Sequence, residues 1–289
     1  MIQSAPTEVR PGVYSYWAPE ASPAPCVFDV PRSGREYPPG FFTTLPFNTV
    51  HFLVSHYVEE LWSLAPKAGS GLLYALFVNN YIDANRSEFD IEADLLAEPW
   101  PGPLEPSSMS SVVGMGLIHS RARGSMLRTD KLPVAEVQHR IENYWRPYHD
   151  RLAQLIAERR EAAQAAFHLS CHCMGTYGPP TAHDSGMRRA DFCLSDYHGA
   201  TSSREFMDVI AQALKDRGFT VSFNDPFAGA ECIRRNGRPE TGIHSVQIEV
   251  IKELFMEEES FRRKPCFDEV RNALGVVSAE IARYARTFA

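Results

Sequence analysis

Several things are scarce in this chain, and each scarcity narrows the possibilities. No run of apolar residues approaches the length needed to cross a bilayer, so a membrane-spanning design is not expected. The first ten residues, Met1 to Arg10, lack the charged-then-apolar order of a secretory leader. Six cysteines are present (Cys26, Cys171, Cys173, Cys193, Cys232 and Cys266), but none are paired as CxxC. Neither a zinc knuckle nor a thioredoxin-type redox motif is indicated. Reduced thiols in a soluble cytoplasmic protein are the expectation. Positive charge is also in deficit, with 29 Lys and Arg against 36 Asp and Glu and a formal net charge of −7. That balance argues against nucleic acid or an anionic membrane surface as partner, although a locally basic pocket for a small anion stays open. There is no internal repeat. At 289 residues the chain can bury a core that needs no disulfide staples.

What is present reads as strands alternating with helices, hence a single α/β domain with a mixed, mainly parallel sheet flanked by helices. Residues 1–25 hold five prolines and little periodicity, and predict an extended arm over the surface; the domain proper is expected over 26–289. Cys26–Val30 reads as a buried strand and Leu72–Val78 as another. A helix is expected over Asn48–Leu64, capped by Asn48 or Thr49, with Val50, Leu53, Tyr57, Leu61 and Leu64 on its apolar stripe. A long helix starts at Pro133, and Pro147 should kink it. Residues 97–113 look like a long loop. Ser202 and Glu205 read as a capping box for a helix that stops near Gly218.

Four stretches carry candidate chemistry. Phe167–Gly175 reads as a buried strand ending in a turn, with Cys171, His172 and Cys173 near its carboxyl end, where α/β proteins collect ligands. Side-chain alternation puts Cys171 and Cys173 on one face and His172 on the other. The same residues could equally be buried packing. Ile243–Ile251 is a clear alternating strand: Val246, Ile248 and Val250 face one way, and Ser245, Gln247 and Glu249 the other. A carboxylate there is costly to bury unless paired or functional, so Glu249 is the leading candidate acid or base. The loop Pro31–Pro38 carries Arg32, Ser33, Arg35 and Glu36, and either grips an anion or is solvated. Asn79–Arg86 ends in an Asn-Arg pair able to bind a carboxylate, or is an Asx turn with a surface arginine. Arg121, Arg123 and Arg128 form a local basic patch.

Five of these pieces, in order, resemble motifs of the N-formylglutamate amidohydrolase family, a distant relative of the aspartoacylases and zinc carboxypeptidases. Val30–Pro38 resembles its Pro-His-Ser-Gly loop, and Ile82-Asp83-Ala84-Asn85-Arg86 its Asp-Leu-Asn-Arg motif. Arg146-Pro147-Tyr148-His149 resembles the Pro-Tyr-His that closes a long helix. Ser170–Met174 resembles the Asp-x-His-Ser-Met metal motif, and His244–Glu249 the terminal Gln-x-Glu strand. The resemblance implies a zinc-carboxypeptidase-like hydrolase fold and a deacylase acting on an amino-acid-like carboxylate. In such an enzyme zinc activates water, whose pKa falls to about 7 when bound, and a glutamate moves protons. By that resemblance Glu249 is the proton-moving residue and His172 stands at a metal ligand. Asn85 and Arg86 anchor the substrate carboxylate, with Arg32, Ser33, Arg35, Arg128 and Gln247 as further substrate contacts. Two departures are plain: Arg32 stands where the first metal-binding His is expected, and Ser170 where the Asp of Asp-x-His is expected. A guanidinium cannot ligate zinc. The expectation is therefore little or no zinc. Any divalent metal would rely on His172 and Glu36, and metal-free chemistry would turn to Cys171 or Cys173 beside His172. A biosynthetic repurposing, or a non-catalytic amino-acid-binding protein, is the competing expectation.

Overall fold

The computed structural model describes residues 5–20, 22–105 and 109–289. Strands β1 (Glu8–Arg10), β2 (Tyr14–Trp17), β3 (Cys26–Val30) and β4 (Gly71–Ala75) come first. A small hairpin follows, β5 (Arg121–Ala122) and β6 (Ser125–Met126). Next come β7 (Ala166–Met174), β8 (Phe192–Ser195), β9 (Val221–Phe223) and β10 (Ile243–Ile251). Eight strands form one sheet in the order β1-β2-β4-β3-β7-β10-β8-β9. The central pairs β4·β3, β3·β7 and β7·β10 are parallel, whereas β2·β4 and β10·β8 are antiparallel. The mixed, mainly parallel sheet is as the alternation of elements predicts. The carboxyl ends of β3, β4, β7 and β10 therefore open on one side, and the loops that follow them converge there.

One face of the sheet is apolar. Phe28, Leu169, Cys171, Val246, Ile248 and Val250 pack there against α2 (Val58–Leu61), α6 (Arg204–Lys215) and α8 (Phe267–Ala285). The other face meets α5 (Arg146–Ala162) and, over its centre, carries polar side chains from three adjacent strands. Among the described residues no helix is long and apolar enough to cross a membrane.

Several expectations need correction. The N-terminal stretch is not merely an arm: β1 and β2 extend the sheet, and Tyr14, Tyr16 and Trp17 are buried. Aromatic residues suited to a pleated surface outweigh the surrounding prolines. The helix expected over 48–64 is split into α1 (Phe47–His51) and α2, with Tyr57 left-handed at φ 65° between them. Side chains from distant loops take the carbonyls that a continuous helix would use. Asn80 donates to Val50 O, Asn79 to Leu53 O, and Ser33 to Ser55 O. Asn48 and Thr49 make no side-chain cap, because Pro46 sits at the N-cap. The helix from Pro133 runs as α4 (Val134–Arg140), a π turn (Ile141–Trp145) and α5. Pro147 falls just after the wide turn, where its missing N–H is accommodated. Ser203, one residue after the expected Ser202, accepts from Phe206 N as the cap of α6.

Candidate active site

The register builds the site. In the parallel pairing of β7 with β10, Ser170 lies opposite Gln247 and His172 opposite Glu249. Asp29 of β3 lies opposite Ser170 on the other flank. Alternation turns His168, Ser170 and His172 toward the face that also holds Ser245, Gln247 and Glu249.

Beneath lies a dry polar layer. Tyr148 donates to Asp29 Oδ2 at 2.8 Å, and His168 Nε2 donates to Asp29 Oδ1 at 2.9 Å. Ser245 Oγ lies 3.0 Å from His168 Nδ1. All four are fully buried; burial alone would raise the Asp29 carboxyl, but the hydrogen bond and charge of His168, with a hydrogen bond from Ser170, hold it below its usual range. The layer fixes the floor and offers no open atom to a ligand.

Above it runs a chain of side-chain amides. The backbone N–H of Cys232, in α7 (Glu231–Asn236), donates to Asn85 Oδ1 at 3.0 Å. Asn85 Nδ2 lies 3.2 Å from both Gln247 Oε1 and His172 Nε2. Gln247 Nε2 donates to Glu249 Oε1 at 2.9 Å. Ser170 Oγ is 3.1 Å from His172 Nε2, and His172 Nδ1 is buried with no hydrogen-bond partner among the described residues.

Electrostatics separate the groups. Burial pushes the Glu249 carboxyl up to about 7, opposed chiefly by the Arg32 charge and by its bond to Gln247. Burial, with Arg32 next, pulls His172 down to about 3, so the ring is neutral at working pH. Asp83, fully buried, is held well below the usual carboxylate range by Arg32 and by its bond to His119 despite its burial. His119 Nε2 is 3.1 Å from Asp83 Oδ2, and Asn85 N donates to Asp83 Oδ1 at 2.9 Å. Arg32 Nε approaches Asp83 Oδ2 at 3.3 Å, an ion pair without hydrogen-bond geometry. Arg86 gives Nε to Met115 O and Nη1 to Asn85 O, both at 2.9 Å. Arg32, Arg86 and Arg189 all act on Glu249, so this acidic protein gathers positive charge around one buried carboxyl.

Not every residue proposed from the sequence joins this cluster. His172, Glu249, Gln247, Asn85, Arg86 and Arg32 do. Cys173 packs toward the apolar core on the opposite face, and burial pushes its thiol up to about 11, unsuited to a thiolate nucleophile. Its proximity to His172 in sequence does not survive the pleat. Ser33 is buried and committed to Ser55 O. Arg35 is tied to Glu59 and stacks over Tyr57. Arg128 gives Nε to Asp130 O and lines a separate small cleft with Asn80, His119 and Arg140. Glu36 is exposed, with its backbone bridged to the segment after β4, and does not approach His172 through any contact of the structure. Asn85, expected to grip substrate, has its whole amide engaged internally. Four participants were not foreseen: Asp29 and His168, which only the strand register brings in; the Cys232 backbone; and His119. The last follows the apolar segment 112–118 and could have been suspected from that position.

The residues do not fit a zinc ion. The described residues contain no group of three or more His, Cys, Asp or Glu able to hold a metal. The permanent charge of Arg32 acts on both His172 and Glu249 instead.

The sequence model for N-formylglutamate amidohydrolases matches residues 24–256. The chain is 33% identical to the crystal structure of N-formylglutamate amidohydrolase from Ralstonia eutropha, with a TM-score of 0.89 over 96% of this chain and 99% of that one. It is 25% identical over 207 residues, 70% of each chain, to the N-formylglutamate deformylase of Pseudomonas putida. The Agrobacterium tumefaciens gene product Atu2144 shares the fold at 16% identity and a TM-score of 0.67.

Proposed function

The chain belongs to the N-formylglutamate amidohydrolase family, and on that premise we propose that it hydrolyses the amide C–N bond of an N-acyl amino acid carboxylate. The observation that carries this reading is Glu249, a buried carboxyl raised to about 7 and oriented through one oxygen by Gln247. A carboxyl near 7 is poised for both halves of the reaction. As carboxylate it takes a proton from the attacking water; as acid it returns that proton to the leaving amine. Arg86 Nη2 and the Arg32 guanidinium supply the positive charge that a substrate carboxylate and a developing oxyanion require.

No step is routed through a metal, because the donor set does not suit one. Arg32 stands where the family pattern places a histidine, and Ser170 where it places an aspartate. The same replacements favour a second reading: a homologue that keeps the amino-acid pocket for a different biosynthetic transformation, or for binding alone. Incubating the full chain with N-formyl-L-glutamate and a panel of N-acyl amino acids, while measuring release of free amine, separates the two. Amine release from one of them supports hydrolysis. Binding without release, by calorimetry on the same panel, supports the second reading.

A further inference from the structure

The hydrogen bonds around Asn85 fix more than its own position. An amide side chain can in general be flipped, exchanging donor and acceptor. Here one end is pinned by a group that cannot change roles: the Cys232 backbone N–H, a donor only, at 3.0 Å from Asn85 Oδ1. Asn85 Nδ2 therefore faces Gln247 Oε1 and His172 Nε2, each at 3.2 Å. The next link agrees, since Gln247 Oε1 accepting leaves Gln247 Nε2 to donate to Glu249 at 2.9 Å. A donor placed against His172 Nε2 requires that nitrogen to accept. Ser170 Oγ, 3.1 Å from the same nitrogen, can serve either way and does not oppose it.

We infer that Asn85 locks His172 in the tautomer with its proton on Nδ1, making His172 a hydrogen-bond donor to the ligand and not a metal ligand through that nitrogen. Nδ1 is buried and has no hydrogen-bond partner among the described residues. A buried N–H without a partner calls for an acceptor oxygen. Metal-bound histidines are commonly oriented by an acceptor on the second ring nitrogen. In this chain that nitrogen meets an amide N–H and a hydroxyl. Asn85 is thus a positioning residue. The inference rests on the amide-hydrolase reading only for the identity of the oxygen that His172 meets.

Long-range 15N–1H correlation spectra of the full chain labelled at histidine report each tautomer directly, with His172 assigned through His172→Gln. The expected result is an Nδ1-protonated ring in at least about tenfold excess, since the alternative sets two buried donors against each other. An Nε2-protonated ring in the wild type overturns the inference. Asn85→Asp keeps an acceptor for Cys232 but turns an oxygen toward His172, and should move the proton to Nε2. Ser170→Ala should leave it on Nδ1. A Ser170→Ala protein whose tautomer switches would assign the control to the wrong residue and defeat the proposal. Zinc added to the wild type should leave the His172 nitrogen pair unmoved; a zinc-dependent shift of Nδ1 overturns it. None of these readouts depends on turnover, so failure of the hydrolase reading would show separately, in the amine-release assay.

Discussion

Glu249 lies directly opposite His172 across the parallel pair β10·β7, and both side chains turn to the polar face of the sheet. Yet burial drives them in opposite senses, the carboxyl up to about 7 and the imidazole down to about 3. At neutral pH the Glu249 carboxyl can therefore either hold or release a proton, while His172 stays neutral and can only donate or accept a hydrogen bond.

Glu249→Gln preserves the bond to Gln247 in shape but removes the proton carrier. Turnover should fall by about 10²-fold or more, with ligand affinity retained and the fold intact by circular dichroism. If turnover is normal in Glu249→Gln, another group moves the proton.

Stability should carry the mark of the raised carboxyls. Glu249 and Glu59 are both pushed up to about 7 from about 4.5. Each therefore favours folding below the unfolded value, and that contribution is lost as pH rises to 7, by on the order of 3 kcal/mol per group at most. Denaturant midpoints measured from pH 4.5 to 8 should fall more steeply in the wild type than in Glu249→Gln. Parallel curves would show that the Glu249 carboxyl is not perturbed.

Arg86 braces the site through Met115 O and Asn85 O, and the proposed function makes it the substrate anchor as well. Arg86→Lys keeps the charge but loses the planar fork that reaches Met115 O and Asn85 O while leaving Nη2 for a ligand. Calorimetry should show at least about tenfold weaker binding of an N-acyl amino acid carboxylate. Equal affinity in the two proteins would remove Arg86 from the binding site.

The floor beneath the site is structural. Asp29→Asn disturbs the acceptor shared by Tyr148 and His168, fully buried, and should cost about 3 kcal/mol in chemical unfolding. Tyr148→Phe should cost only about 1 kcal/mol, the size of one net hydrogen bond. A silent Asp29→Asn would mean that the network contributes nothing to stability.

The sequence made β10 legible because its alternation is undisturbed, and with it the face that Glu249 shares with Gln247 and Ser245. Asp29 and His168 were illegible as partners because 139 positions separate them and only register unites them. The break at Tyr57 was hidden for a similar reason, since Asn79 and Asn80 reach it from another loop. Cys173 misled because neighbours along a strand point to opposite faces. Asn85 was recognised as part of the site, but its task depends on a backbone N–H 147 residues away.

The most direct test of the central claim is the pH dependence of amide hydrolysis, measured as formate released from N-formyl-L-glutamate by the wild type and by Glu249→Gln. The account predicts a wild-type rate governed by one ionisation near pH 7, rising as the Glu249 carboxyl loses its proton, and a Glu249→Gln rate lower by about 10²-fold with that inflection gone. A wild type that releases no formate, or a Glu249→Gln protein that keeps both the rate and the inflection, would contradict it.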